Sequence, residues 1–174
     1  VSRLITALSQ VLRYSISNKI QIVTLAQEID QLKNYLFIQE TRYEDRIKVY
    51  FDIAPETLEL KIYKFLLQPL VENAIVHGLE NKDENGIIKI SSRIENDKLV
   101  VEIYDNGEGI SKQRLNEIFN KEESLNKKDD KRTHIGLNNV NDRLKFYYGN
   151  DYGVIVESEE QKYTKVIVLF PVNK

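Results

Sequence analysis

The apolar residues of this chain change their period at one point, and that change decides what each side can become. Before Arg46 they recur at steps of three and four. Val1, Leu4, Leu8 and Val11 form one stripe, widened by Ile5 and Leu12, and Leu25, Ile29, Leu32 and Leu36 form another. Such spacing lays apolar side chains along one face of a helix. After Arg46 the step becomes two: Ile47, Val49, Phe51 and Ile53 alternate with polar residues, the pattern of a strand with one buried face. The chain therefore divides into a helical segment, 1–45, and a mixed segment, 46–174.

In the helical segment the first helix runs from Val1 to about Ser15 with coiled-coil spacing, and Ser17, Asn18 and Lys19 break it. Thr24-Leu25-Ala26-Gln27 has the form of a capping box, in which the Thr hydroxyl and the Gln side chain each satisfy a free backbone N–H. A second helix is predicted from there to about Asp45. Two apolar seams in succession predict a helical hairpin, or half of an intermolecular bundle. The stripe is already running at Val1 and the 174 residues include no methionine, so the expected context is a longer helical region. With no cysteine, disulfides, a thiol nucleophile and a zinc–cysteine site are excluded. A net charge of −2 supplies no basic field for nucleic acid. No apolar run approaches the ~18 residues that span a bilayer, and no signal peptide is visible.

In the mixed segment Pro55 closes the first strand. A helix is predicted from Phe65 to His77, with Gly78 as its stop and Pro69 either in the first turn or at a kink. Asn85-Gly86 is a turn, and strands at Ile87–Ile94 and Leu99–Tyr104 flank a turn at Glu95-Asn96-Asp97. Ser111 caps a short helix ending at Phe119. Nine of the twelve residues 121–132 are charged, which predicts a mobile solvated loop. A helix from Gly136 to Tyr148 turns Leu137, Val140, Leu144 and Tyr147 inward, and strands at Val154–Ser158 and Lys165–Phe170 complete the set. The expected fold class is α+β: a two-layer α/β sandwich of about five mostly antiparallel strands, with helices on one face.

Three polar clusters stand at the ends of these elements. Glu72-Asn73, with His77 one turn on, lies on an otherwise apolar helix. A carboxylate and an amide buried there unpaired cost roughly 1–3 kcal/mol each, and their oxygens suit Mg²⁺ and its waters. Asp105-Asn106-Gly107-Glu108-Gly109 follows a strand. Its two glycines allow close backbone approach by a flat ligand, and the Asp can accept from an exocyclic amine such as adenine N6. Ile135-Gly136-Leu137 is read as opening a helix, whose free N–H groups and positive dipole end suit phosphate. Each cluster taken singly is also compatible with an ordinary surface turn or cap.

Their order and spacing resemble those of a known family. Gln68-Pro69-Leu70-Val71-Glu72-Asn73-Ala74-Ile75-Val76-His77-Gly78 resembles the N box of histidine kinases, Asp105 to Gly109 the G1 box, and Ile135-Gly136-Leu137-Asn138-Asn139-Val140 with Arg143-Leu144 the G2 box of the GHKL ATPase superfamily. Leu12-Arg13-Tyr14-Ser15, Val23-Thr24-Leu25 and Tyr35-Leu36-Phe37-Ile38-Gln39 further resemble the LytS/YesM-type branch of sensor histidine kinases. The resemblance implies the Bergerat sandwich, with ATP between the N-box helix and a lid at 120–134. By resemblance Asn73 is the Mg²⁺ ligand, and Glu72 positions metal-bound water. Asp105 reads adenine, and Gly107 and Gly109 clear space for the base. Gly136 and the N–H groups after it hold phosphates. His77, Ile110, Thr133, Ile135, Leu137 and Asn138 are the remaining ATP-binding positions. Two departures stand out: Val76 occupies the place of the family's usual Lys, and His134 that of a glycine. Lys128, Lys131, Arg132 and Arg143 are the cations available to replace the missing charge.

The implied reaction moves the γ-phosphoryl group of ATP to a histidine nitrogen and then to an aspartate on a response-regulator receiver domain. The implied partners are a second copy, paired through the helices of 1–45, and that receiver; contact with a membrane is expected only through upstream segments. The fragment itself is expected to be cytoplasmic, with a parent anchored in a bacterial cell membrane. The branch's Pro-His-Phe acceptor motif does not occur in the sequence, so this chain alone is expected not to phosphorylate itself. A clamp ATPase of the gyrase or mismatch-repair kind is the alternative enzyme, disfavoured because Pro69 stands where its water-activating glutamate belongs. A non-catalytic dimerisation module is the alternative without chemistry.

Overall fold

The computed structural model describes residues 2–16, 21–43, 46–79, 84–119 and 131–172. The charged stretch 120–130 and the predicted helix break at Ser17, Asn18 and Lys19 lie outside the described residues. Helix α1, Ser2–Ile16, is followed by a short strand β1, Ile22–Thr24, and helix α2, Leu25–Arg42. The capping box forms as predicted: the Gln27 N–H donates to Thr24 Oγ1 at 3.3 Å, and the Thr24 N–H donates to Gln27 Oε1 at 3.0 Å. α2 stops three residues before the predicted Asp45, where the Tyr43 N–H donates to Gln39 O at 2.9 Å. The seam of α1 divides. Ala7 is buried and Val11 and Tyr14 half-buried, whereas Leu4, Ile5, Leu8, Leu12 and Ile16 are exposed.

Strands β2, Ile47–Ile53, and β3, Lys61–Tyr63, lead into helix α3, Gln68–Asn73, which continues as a π turn over Ala74–Leu79. Pro69 is the second residue of α3, where its missing N–H costs nothing. Gly78 does not end the helix as predicted, because the π turn carries on through Leu79. Strands β4, Gly86–Glu95, and β5, Lys98–Asp105, form a hairpin on Asn96 and Asp97. Their φ values of 50° and 57° are those of the left-handed two-residue turn that matches strand twist. Helix α4, Lys112–Phe119, is capped as predicted, with the Arg114 N–H donating to Ser111 Oγ at 3.3 Å. Helix α5, Lys131–Tyr148, begins five residues ahead of the predicted Gly136, and strands β6, Gly153–Glu159, and β7, Tyr163–Pro171, follow.

The main sheet has the order β2-β4-β5-β7-β6, with β2 and β4 parallel and the other pairs antiparallel. The expected two-layer α+β architecture is therefore present. The sequence reading missed β1 and β3, which pair antiparallel over three residues each, from Ile22↔Tyr63 to Thr24↔Lys61. One core joins the layers. Ile88, Ile90, Leu99, Val101, Ile103, Val168 and Phe170 from the sheet meet Leu70 and Val71 of α3, Ile75 of its π turn, Leu137, Val140 and Leu144 of α5, and Leu25, Ile29, Leu32 and Leu36 of α2. Full burial of each such side chain contributes roughly 1.5–3 kcal/mol. That core holds α3 and α5 against the sheet at the ends of β5 and β7, where the polar clusters gather.

Candidate functional site

A cavity of ≈ 320 Å³ opens where α3 and its π turn, the loop after β5, α4, α5 and the β6–β7 turn converge. Asp105, the last residue of β5, lines it and is only 3% exposed. Its Oδ1 accepts the Gly107 N–H at 2.9 Å, and the strand register sets Thr164 of β7 opposite it. The backbone of Gly78 passes so close that a Cβ there would lie 2.5 Å from Asp105 Oδ1. Gly107 in turn lies against Gly78, where its own Cβ would meet Gly78 O at 2.0 Å, and the Glu108 N–H donates to that same carbonyl at 3.1 Å. Gly109 has φ +66°, and a Cβ on it would meet Glu159 O at 2.1 Å. The space beside both loop glycines is thus filled by protein backbone. Glycine is required there by the packing of three segments on one another.

Of the predicted site residues, Asn73, His77, Asp105, Gly109, Ile110 and Leu137 line the cavity. Gly107 and Gly136 stand just behind it, each against a neighbour at the cavity wall. Gly136 is not at a helix start but inside α5. Its Cβ would lie 2.8 Å from Asn73 Nδ2, so the glycine permits α5 to rest on the Asn73 amide. The free N–H groups of α5 accordingly belong to its first turn at 131–134, not to Gly136 and the residues after it. Asn73 Nδ2 is buried without an intramolecular partner. Glu72 and Asn138 are outside the lining, and Glu72 Oε1 accepts from Gln68 Nε2 at 2.8 Å. The side chains of Thr133, His134 and Ile135 lie outside the described residues, as do those of Lys128, Lys131 and Arg132.

The charge balance also differs from the sequence reading. Arg143 is committed elsewhere: its guanidinium donates to Phe65 O and Lys64 O, both at 3.1 Å. Val76 is 44% exposed. Arg114 of α4 lines the cavity instead, together with Thr164, Val166, Glu160 and Gln161, none of which the sequence pattern singled out, and Gly78, which it read as a helix stop. Thr164 and Val166 share one face of an alternating strand, but only the register of β7 against β5 brings that face to Asp105.

A buried strand-end carboxylate, glycines packed one on another behind it and an uncommitted amide opposite form a site in three separated sequence blocks. Residues 57–174 match the family described as Histidine kinase-, DNA gyrase B-, and HSP90-like ATPase. The chain belongs to that family. Residues 1–47 match a second family, described as Histidine kinase. The chain is 35% identical over 167 residues to an uncharacterized sensor-like histidine kinase of Staphylococcus epidermidis, covering 96% of this chain and 32% of the relative. It is 33% identical to the sensor histidine kinase BtsS of Escherichia coli, covering 98% of this chain and 28% of that protein. It is also 33% identical to the sensor histidine kinase YesM of Bacillus subtilis, again over 98% and 28%. The chain thus spans about a third of the length of these curated relatives. Among solved structures, the catalytic domain of histidine kinase ThkA superposes with a TM-score of 0.63 at 22% identity, covering 87% of this chain and 94% of that one. A structure of ThkA in complex with the response regulator protein TrrA aligns over 99% of this chain and 48% of that one, with a TM-score of 0.62 at 22% identity. The fold is that of GHKL-type histidine kinase catalytic domains.

Proposed function

We propose that this ATPase-family chain binds Mg-ATP in the cavity and transfers the γ-phosphoryl group to a histidine on an upstream helix, for onward transfer to a response-regulator aspartate. The observation that carries the reading is Asp105. It is a buried, acceptor-only carboxylate at the end of β5 that lines the cavity, the kind of group that reads an exocyclic amine. An adenine amine seated there would bring the triphosphate toward Asn73, along the cavity wall formed by the N-box segment. The Asn73 amide fits a magnesium–phosphate group: its oxygen suits the hard cation, and its Nδ2 lacks an intramolecular partner. Asn73 would hold the Mg²⁺, which when bound neutralises phosphate charge. Arg114, at the same cavity, supplies a cation that the N-box position Val76 does not. Glu72, held by Gln68, serves by placing water around the metal rather than by touching the nucleotide.

The exposed row Leu4, Ile5, Leu8, Leu12 and Ile16 on α1 supports pairing with a second copy through the helical segment. Among the described residues no helix is long and apolar enough to cross a membrane. The complex of histidine kinase ThkA with response regulator protein TrrA supports a response regulator as the partner. His77 lines the nucleotide cavity, so it is poorly placed for in-line attack on a γ-phosphorus and the chain alone does not label itself.

Asp105→Asn tests the reading. Replacing an acceptor-only carboxylate by an amide loses a charged hydrogen bond worth roughly 1.5–3 kcal/mol, or about 10- to 150-fold in affinity. Calorimetry with Mg-ATP at a temperature where the variant remains folded is expected to read that loss. Unchanged affinity would remove Asp105 from the adenine site.

A further inference from the structure

Away from the cavity, α2 buries a charged residue among its leucines. Glu28 is 1% exposed. Its Oε2 accepts from the Tyr14 hydroxyl of α1 at 2.6 Å and from the Phe65 N–H at 3.2 Å, while its Oε1 accepts the Leu67 N–H at 3.3 Å. Burial pushes the Glu28 carboxyl above its ordinary value, and the Tyr14 hydroxyl with the N–H groups of Phe65, Leu67 and Leu66 pull it the other way. Packing alone would be met by another leucine, as at Leu25, Leu32 and Leu36 on the same helix. A buried carboxylate in that row is explained by the donors converging on it.

The backbone donors belong to residues 65–67, in the segment 64–67 between β3 and α3, and the same segment is also gripped by α5. Arg143 of α5 donates to Lys64 O and Phe65 O. Phe65 stands between the two grips at φ 60°, a backbone conformation that persists only where the surroundings over-determine it. Its ring meets Tyr14 edge-on at 5.1 Å, and Lys64 Nζ, itself donating to Tyr14 O, lies 4.1 Å from the Tyr14 ring centroid. The segment then runs straight into Gln68, the first residue of α3, which carries Asn73 and the π-turn residue His77 to the cavity. α5 completes the circuit, since its Gly136 rests on Asn73.

We propose that Glu28 and Tyr14 are positioning residues, joining the seating of α1 on α2 to the placement of the N-box helix and thereby to nucleotide affinity. The proposal rests on the ATP reading of the cavity given above. Three helices hold one short segment, and a shift of α1 along α2 must either break the Tyr14–Glu28 bond or drag 64–67, and α3 with it. Glutamine at position 28 cannot substitute, because one of its two polar atoms is a donor that would face donors.

The test compares Tyr14→Phe, Glu28→Gln and the control Leu36→Ala in the full chain. Leu36 is buried on α2 eight residues beyond Glu28, about 12 Å along the helix, and its truncation destabilises α2 without touching the segment. Mg-ATP affinity is measured by calorimetry at a temperature where circular dichroism shows each variant folded, and amide exchange is followed over 64–79. Tyr14→Phe and Glu28→Gln are expected to weaken affinity by about 2- to 30-fold and to speed exchange over 64–79. Leu36→Ala is expected to leave both near wild type. Equal losses in Leu36→Ala and Glu28→Gln would reduce Glu28 to a structural residue and overturn the proposal, as would unchanged affinity and exchange in Tyr14→Phe and Glu28→Gln. If Glu28→Gln does not fold, Tyr14→Phe decides by the same two readouts. If the wild-type chain itself binds no Mg-ATP, the functional reading fails, and exchange over 64–79 still decides the coupling.

Discussion

Gly78→Ala sets two opposed effects against each other at a single methyl group. In a helical turn, alanine is favoured over glycine by about 1 kcal/mol, so an unobstructed substitution would stabilise the chain. Gly78 is obstructed: the added carbon would lie 2.5 Å from Asp105 Oδ1 and 2.9 Å from its Cγ. Asp105 has little room to yield, being 3% exposed and tied by the Gly107 N–H at 2.9 Å. Overpacking of this kind costs about 1–3 kcal/mol, so the clash offsets or outweighs the helical gain and leaves a net loss of roughly 0–2 kcal/mol. Binding suffers more than folding, because the carboxylate that yields is the one assigned to adenine. Losing that hydrogen bond costs about 10- to 150-fold in Mg-ATP affinity. Urea unfolding and calorimetry on the same sample separate the two quantities. A variant that is more stable than wild type and binds Mg-ATP equally well would show that Asp105 moves freely, and would refute the packing of Gly78 on Asp105 as the basis of the site.

Three further outcomes follow from neighbouring contacts. Gly136→Ala places a carbon 2.8 Å from Asn73 Nδ2 inside α5, so stability should change by no more than about 1 kcal/mol while Mg²⁺-dependent ATP binding, followed by titration, falls. Val76→Lys restores a cation beside the site and should tighten ATP binding by about 1.4- to 5-fold at low ionic strength, with the gain lost at high salt. The Tyr148 hydroxyl accepts the Tyr63 N–H at 2.9 Å, and burial pushes its pKa from 10.0 up to about 12. Because the folded value is the higher one, this stabilisation is complete below pH ~10 and is lost as the pH rises toward ~12. Tyr148→Phe should therefore be less stable than wild type at pH 8, with the gap narrowing across that window. A constant gap in urea unfolding would contradict it.

What could be read from residues alone was whatever is decided within a few positions of the chain. The Thr24–Gln27 box, the Asn96–Asp97 turn, Pro69 at the start of α3 and the Ser111 cap are all local hydrogen-bond or dihedral solutions, and the structure has each of them. Strands β1 and β3 escaped because three residues are too few to display a period of two, and what makes them strands is each other. The glycines show the same divide. Gly78 and Gly136 were read as a helix stop and a helix start, the usual local uses of glycine. Each instead sits within a helical turn, because Asp105 or Asn73 occupies the place of its side chain. Asn73 and His77 were legible as polar residues out of place on an apolar helix, and Asp105 as the head of a glycine-bearing run just after a strand. Arg114 and Thr164 were not, since nothing in their own neighbourhoods distinguishes them from solvated surface. Arg143, a candidate phosphate cation in the sequence, is bound to the carbonyls of 64 and 65 through a contact spanning some eighty residues.

The strand order has a consequence for how the molecule comes into being. β7 follows every other strand in the chain, yet it lies inside the sheet, between β5 and β6. Until it slots in, β5 has an open edge, Asp105 lacks its neighbour Thr164, and the β6–β7 turn that meets Gly109 does not exist. The earlier hairpin β4–β5 can close on its own two-residue turn, but the cavity cannot assemble piecemeal alongside it. Insertion of β7 therefore completes the sheet and creates the pocket in one event. During vectorial synthesis the α1–α2 pair emerges ahead of the sheet and waits without a nucleotide site. A ligand that recognises the pocket sees only the finished domain, and its binding energy stabilises the whole sheet rather than any partly built form of it.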